Sequence, residues 1–219
     1  MSNPIDVKIN QIGRPLSTNS SDINPVVSGD LKSMVFISRQ KFYDALFYSR
    51  KVNGNWSTPI NITPEVQSDG DQYPTFMSYD GKELYLRKED NFEANILISK
   101  NVDGVWTKAK PLSKSINSKF WEGNASVSKD GKTLYFSSNR NEGAGAMDLY
   151  KSVKLPNGDW GLPVNLGPKI NTMFNEDSPI ITEDGKNFTS SHKAIKTWVA
   201  TIFSALKFYP MEISPIRSI

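Results

Sequence analysis

The tripeptide Asp-Gly-Lys returns at a fixed interval, and that interval constrains the fold more than any other feature of the chain. Asp80-Gly81-Lys82-Glu83-Leu84-Tyr85-Leu86 and Asp130-Gly131-Lys132-Thr133-Leu134-Tyr135-Phe136 lie fifty residues apart, and Asp184-Gly185-Lys186-Asn187-Phe188 follows fifty-four later. A weaker copy, Asp30-Leu31-Lys32-Ser33-Met34-Val35-Phe36, stands fifty before the second, with Leu31 where the turn glycine belongs. Two further landmarks keep step. Trp56, Trp106 and Trp160, each two residues after a Gly, fall 24 residues before the next such Asp. Ile62, Leu112 and Leu166 fall 18 before it. Three landmarks in one register specify a tandem unit of about fifty residues.

Within a unit the signals are those of short strands. The Asp side chain can accept backbone hydrogen bonds across the turn, and Gly takes its left-handed conformation without a steric penalty. β-branched and aromatic residues follow, as in Thr133 to Ser138, where a strand is expected. In the second copy the spacing predicts strands at Tyr73–Ser78, Glu83–Arg87, Asn95–Lys100 and Val105–Pro111. No segment carries a helical stripe of three turns. Four short antiparallel strands per unit match a propeller blade, and apolar runs such as Leu84-Tyr85-Leu86 fit sheets covered on both faces. The reading is an all-β chain, a β-propeller of four-stranded antiparallel blades, partial or small. It places complete blades near Pro25, Thr75 and Ala125 and a fourth beginning near Ser178. Residues 1–191 form the array and 192–219 a divergent tail, a distorted end of the fourth blade or the product of an altered reading frame. Between Ile5 and Ile12, Ile5, Val7 and Ile9 alternate with polar residues, which predicts an N-terminal strand; whether it closes the last blade or the array is an open arc stays open.

The 26 Lys and Arg against 23 Asp and Glu give a net charge of +3, with the lysines scattered along the sequence, so no nucleic-acid partner is expected. With no cysteine there is no disulfide or thiolate chemistry. The first residues lack the basic start and apolar run of a secretory signal, and no stretch reaches the roughly 20 apolar residues of a membrane span.

The string Ser126-Val127-Ser128-Lys129-Asp130-Gly131-Lys132-Thr133-Leu134-Tyr135-Phe136-Ser137-Ser138-Asn139-Arg140, continued by Asp148-Leu149-Tyr150, Trp160 and Pro163-Val164-Asn165-Leu166-Gly167, resembles the WD40-like (PD40) repeat of TolB-type β-propellers. The resemblance covers about residues 10 to 191. It implies a non-enzymatic binding or scaffolding propeller of a commonly exported bacterial family, with a protein or peptidoglycan-associated partner. The alternatives are a glycan- or peptide-binding module, or the accessory propeller of a hydrolase. No catalytic residue belongs to the repeat, so none carries over. No cofactor and no metal is implied.

The repeated Trp56, Trp106 and Trp160 read as packing residues of the outer strand, and Asp80, Asp130 and Asp184 as turn caps. One carboxylate per turn falls short of the six to eight oxygens of a calcium site. His192 is the single histidine, without a second ligand or a nucleophile elbow to make it a zinc or triad residue. Gly143-Ala144-Gly145 lacks the Gly-Lys-Ser/Thr ending of a phosphate loop. Loops on a rigid β scaffold are where ligand contacts concentrate. That points to Arg39 and Tyr43, to Arg87 and Phe92, and to Arg140, Glu142 and Asp148.

Overall fold

The computed structural model describes residues 12–90, 93–141, 143–182, 184–185, 187–194, 197–204 and 208–210. The expected N-terminal strand lies outside them, apart from its last residue.

The described chain forms four antiparallel blade-like sheets; in each the first three strands form a meander, and in the first two sheets a pair of short outer strands both pair with the third. The first contains β1 (Asp22–Val27), β2 (Ser33–Arg39), β3 (Asp44–Val52), β4 (Asn55–Trp56) and β5 (Ile60–Asn61). The second contains β6 (Gln72–Met77), β7 (Glu83–Glu89), β8 (Ala94–Val102), β9 (Val105–Trp106) and β10 (Lys110–Pro111). The third is β11 (Glu122–Val127), β12 (Thr133–Ser138), β13 (Asp148–Val153) and β14 (Val164–Asn165). The fourth is β15 (Asn175–Ile181), β16 (Asn187–Ala194), β17 (Thr197–Ser204) and β18 (Phe208–Pro210). One turn of α-helix, α1 (Thr63–Val66), begins at the Pro64 connection. Among the described residues no helix is long and apolar enough to cross a membrane.

The sheets start at Asp22, Gln72, Glu122 and Asn175, three residues before Pro25, Thr75, Ala125 and Ser178 but one before the strand expected from Tyr73, and each first strand carries a bulge. Register shifts interrupt β1 between Ile23 and Val26, β6 between Pro74 and Phe76, β11 between Glu122 and Ala125, and β15 between Asp177 and Ile180. A bulge adds a residue that period-two reading cannot anticipate. The outer strand differs as well: Val105–Pro111 is two short pieces, β9 and β10. Between them the Thr107 side chain accepts from Lys100 N (3.0 Å) while Ser99 Oγ donates to the Thr107 carbonyl (2.6 Å), so side chains replace ladder bonds. Ser57 and Ser49 do the same in the first sheet.

The Ser-x-Asp turn closes every β1–β2 type hairpin identically. Ser28, Ser78 and Ser128 hydroxyls donate to Asp30, Asp80 and Asp130 (2.6, 2.7 and 2.6 Å), and each Asp accepts the backbone N–H two residues on. Thr182 serves Asp184 in the fourth. The first turn keeps this geometry despite Leu31, which takes φ +58 where Gly81 and Gly131 take +70.

Alternation along the second strand of each sheet sends side chains to opposite neighbours. Leu84 and Leu86 join Val35, Ile37 and Leu46 of the first sheet in one core with Trp106; Tyr85 and Ile96 join Leu134, Phe136, Tyr150 and Trp160 in the next. That two-sided burial accounts for the unbroken apolar triplets. Toward the axis β1 packs on β6, β6 on β11 and β11 on β15; among the described residues β15 and β1 are not joined to a similar extent.

Candidate ligand-binding face

Strand direction sorts the loops into two ends. The Ser-x-Asp turns and the Gly-x-Trp hairpins share one end. The loops between second and third strands, and the connectors between sheets, share the other. The described loop residues singled out by sequence, Arg39, Tyr43, Arg87, Arg140 and Asp148, therefore lie at one end of the molecule.

Several of them are engaged internally. Arg140 has a side chain 13% exposed. It donates to the Ile116 carbonyl (2.9 Å), to Ser138 Oγ (3.1 Å) and to the fully buried Glu122 (3.2 Å). Its guanidinium also stacks 5.1 Å from the Phe136 ring and 4.9 Å from that of Tyr150. Asp148 is buried and accepts from Ala144 N and Gly145 N (2.5 and 3.0 Å) and from Asn165 (3.1 Å), which fixes the glycine loop. A β-carbon at Gly145 would collide with the Phe174 carbonyl, so this loop is held tightly against the next connector. Arg87 is ion-paired to Glu89 (2.6 Å). Arg39 and Tyr43 remain exposed. Phe92 and Glu142 lie outside the described residues. His192 is in β16, opposite Glu176 in register.

Two exposed aromatic side chains of this end lie on the first sheet. Phe42 is 85% exposed and Tyr43 46% at the tip of the β2–β3 loop. Tyr43 sits beside Gly70 on the connector that leads into β6. Next to it Asp71, Tyr73, Glu89 and Asp90 line a polar cleft of about 340 Å³. The Tyr73 hydroxyl is pushed up from its ordinary pKa by partial burial, then by the negative charges of Asp44, Asp71 and Glu89, against a smaller opposing effect of Arg87. The cleft is thus anionic, with aromatic rings at its rim.

Three solved structures share this arrangement of sheets. TolB from Acinetobacter baumannii superposes with a TM-score of 0.62 at 17% identity, over 90% of this chain and 45% of that one. A puromycin hydrolase S511A mutant complexed with PGG gives 0.53 at 11%, over 90% and 30%. An α-L-arabinanase from Penicillium chrysogenum complexed with arabinobiose gives 0.53 at 11%, over 83% and 61%.

The likeness is one of fold.

No family model and no curated protein matches the chain in sequence. The resemblance to TolB-type proteins therefore holds as a shared arrangement of blade-like sheets, and the comparisons do not establish the PD40 repeat family. The chain spans less than half of the TolB structure it resembles.

Sequence reading missed Asp71 and Tyr73, which are not repeat positions and belong to another element, whereas Glu89 and Asp90 fall between Arg87 and Phe92 in a loop it singled out. It also missed a fourth landmark that was legible. Thr18, Ser118 and Thr172 each donate backbone N–H and hydroxyl to an acid four residues on, Asp22, Glu122 and Glu176, at the repeat spacing. The second copy has Ser68 and Gln72 instead, and the buried Gln72 Oε1 has no partner. At the opposite end, lysines that look scattered in sequence converge. Lys82, Lys100, Lys129, Lys132 and Lys154 line a groove of about 660 Å³ together with Asp80, Glu83 and Asp130. Among the described residues no group of three acidic or histidine side chains could hold a metal ion.

Proposed function

We propose that this chain is a non-catalytic binding segment of a β-propeller that engages a peptide or protein segment at its loop end. The observation that supports this reading most directly is the anionic cleft of Asp71, Tyr73, Glu89 and Asp90 beside the exposed rings of Phe42 and Tyr43. Surface carboxylates near aromatic side chains suit a Lys or Arg side chain, whose stem lies on a ring while its charge meets the acids. Arg140, Glu122 and Asp148 are held by internal partners and support the loops, as Arg87 holds Glu89 and the Glu93 N–H holds Asp90 at the cleft itself.

Titration calorimetry with Lys- and Arg-containing peptides, a muropeptide and arabino-oligosaccharides tests the reading. Basic peptides are expected to bind, with affinity falling about tenfold in Asp71→Asn and in Phe42→Ala, the loss of roughly one good contact. Binding of the oligosaccharides alone would replace this reading with a glycan-binding one. Hydrolysis of any ligand by the purified chain would remove the non-catalytic part.

A second reading is favoured by the structural likeness to a puromycin hydrolase and an arabinanase. The same end would then face the catalytic part of a hydrolase and filter its substrate. In that case the peptide affinities would follow the hydrolase's substrate preference.

A further inference from the structure

The Ser-x-Asp turns of the first three sheets are spaced unequally. Those of the first and second touch: Asp30 N donates to the Tyr79 carbonyl (2.9 Å), and a β-carbon at Gly81 would meet Ser33 Oγ at 2.7 Å. One repeat later, a β-carbon at Gly131 would meet nothing within 4 Å. The space left between the second and third turns is the lysine-lined groove of about 660 Å³. It runs from Tyr79 and Val127, by the ends of the first strands, out to Val102 and Lys154, by the ends of the third.

Each wall carries a pair of lysines. On the second sheet Lys82 precedes β7 and Lys100 stands opposite Glu83 in register. On the third, Lys154 N donates to the Lys132 carbonyl (2.8 Å), which sets those two side by side. Lys129 links the walls, its ammonium 4.0 Å from the centre of the Tyr79 ring. The three acids of the groove already have partners. Asp80 accepts from Ser78 Oγ and Lys82 N, and Asp130 from Ser128 Oγ and Lys132 N. Glu83 is shared between Lys100 (3.1 Å) and the Tyr85 hydroxyl (3.0 Å). Among the described residues Lys82, Lys132 and Lys154 form no ion pair. Five lysines against three acids leave the groove with a net positive charge of two.

The donors select the kind of anion. The turn N–H groups that could cradle a phosphate, those of Lys82, Glu83, Lys132 and Thr133, are bound to Ser78, Asp80, Ser128 and Asp130. No arginine fork lines the groove. What remains is ammonium groups on flexible stems, divided between two walls. They match carboxylates strung along an extended chain better than one compact anion. A dense polyanion would also meet Asp80 and Asp130, whereas a peptide can set neutral residues opposite them.

We propose that the groove between the second and third turns binds an acidic peptide segment of a partner protein, with Glu or Asp side chains meeting the two lysine pairs. The site lies at the opposite end from the anionic cleft, and its occupancy does not depend on what that cleft binds.

Fluorescence anisotropy of a labelled Glu-Ser repeat peptide titrated with the full chain at low salt is the test. The Glu-Ser peptide is expected to bind and a Gln-Ser repeat of the same length is not. Lys82→Gln and Lys132→Gln change exposed side chains on opposite walls and keep the backbone N–H groups of the turns. Each should weaken binding about two- to fivefold, the scale of one surface ion pair, with circular dichroism unchanged. Lys169→Gln, exposed and outside the groove, should leave it unaltered. Failure of the Glu-Ser peptide to bind overturns the proposal. So does an equal loss in Lys169→Gln, which would mean attraction by overall charge. Inorganic phosphate that displaces the peptide at equal concentration also overturns it, since the groove would then be a site for a compact anion.

Discussion

Replacing Glu122 by Gln removes one charge from a buried pair without changing its shape. Glu122 is fully buried and accepts from Ser118 N (3.0 Å), Ser118 Oγ (2.7 Å), Ser138 Oγ (3.2 Å) and Arg140 Nη2 (3.2 Å). The variant leaves the Arg140 guanidinium, 13% exposed, without a counter-charge, and directs an amide N–H₂ at groups that are themselves donors. Breaking a buried pair from one side costs about 3–5 kcal/mol. The contacts that Arg140 keeps with the Ile116 carbonyl and two aromatic rings put this case near about 3 kcal/mol. With a urea slope of roughly 2–3 kcal/mol/M for a chain of this size, the midpoint should fall by about 1–1.5 M. Tryptophan fluorescence in a urea series reads it, with Lys100→Gln as a control. The Lys100–Glu83 pair (3.1 Å) has a lysine 56% exposed, and surface pairs contribute at most about 1 kcal/mol. Adding Arg140→Met to Glu122→Gln removes the orphaned charge and should recover part of the loss. Strictly additive losses in the double variant, or a midpoint change no larger than that of the control, would refute the argument.

Two other outcomes follow from single turns. Leu31→Gly relieves a left-handed backbone at an exposed turn position, offset by the greater freedom of Gly when unfolded, so a net gain of roughly 0.5–1 kcal/mol is expected in the same urea assay. A loss of stability would show that the Leu31 side chain has a packing role. Asp130 is held below the ordinary aspartate range by the Ser128 hydroxyl and then by the Lys132 N–H. A carboxyl depressed in the folded state contributes stability that is present above its unfolded pKa, about 3.9, and is lost as pH falls through the folded value. Asp130→Asn should therefore flatten the acid limb of the stability profile below about pH 4 and leave its shape near neutrality unchanged. An unaltered acid limb would refute the linkage.

The repeat period, the Asp-centred turns and the strand-rich character were all readable in the sequence, because they depend on contacts within about ten residues. A Ser hydroxyl two positions before an Asp, and a residue able to take positive φ after it, dictate the same hairpin wherever they occur. The turn survived even where the pattern had decayed, at Leu31, since neighbouring hydrogen bonds outweigh about 1 kcal/mol of backbone strain. The acid at the head of each first strand was equally visible at its fixed spacing, but its role needs the connector folded beside it.

Tertiary structure decided which of several similar charges are available. Arg140 and Arg39 differ by one repeat position, since Gln40 and not Arg39 stands at the place of Arg140. One is drawn inside because Glu122, eighteen residues earlier, and two aromatic rings meet it there; the other ends on the surface. The anionic cleft has the same origin, since Asp71 and Tyr73 enter on one strand while Glu89 and Asp90 leave on its neighbour. So has the difference between Trp56 and Trp106, which share a repeat position. Local hydrogen bonding is encoded residue by residue, whereas burial is a property of whatever packs across the sheet. In a stack of near-identical blades only the neighbour tells one face from another.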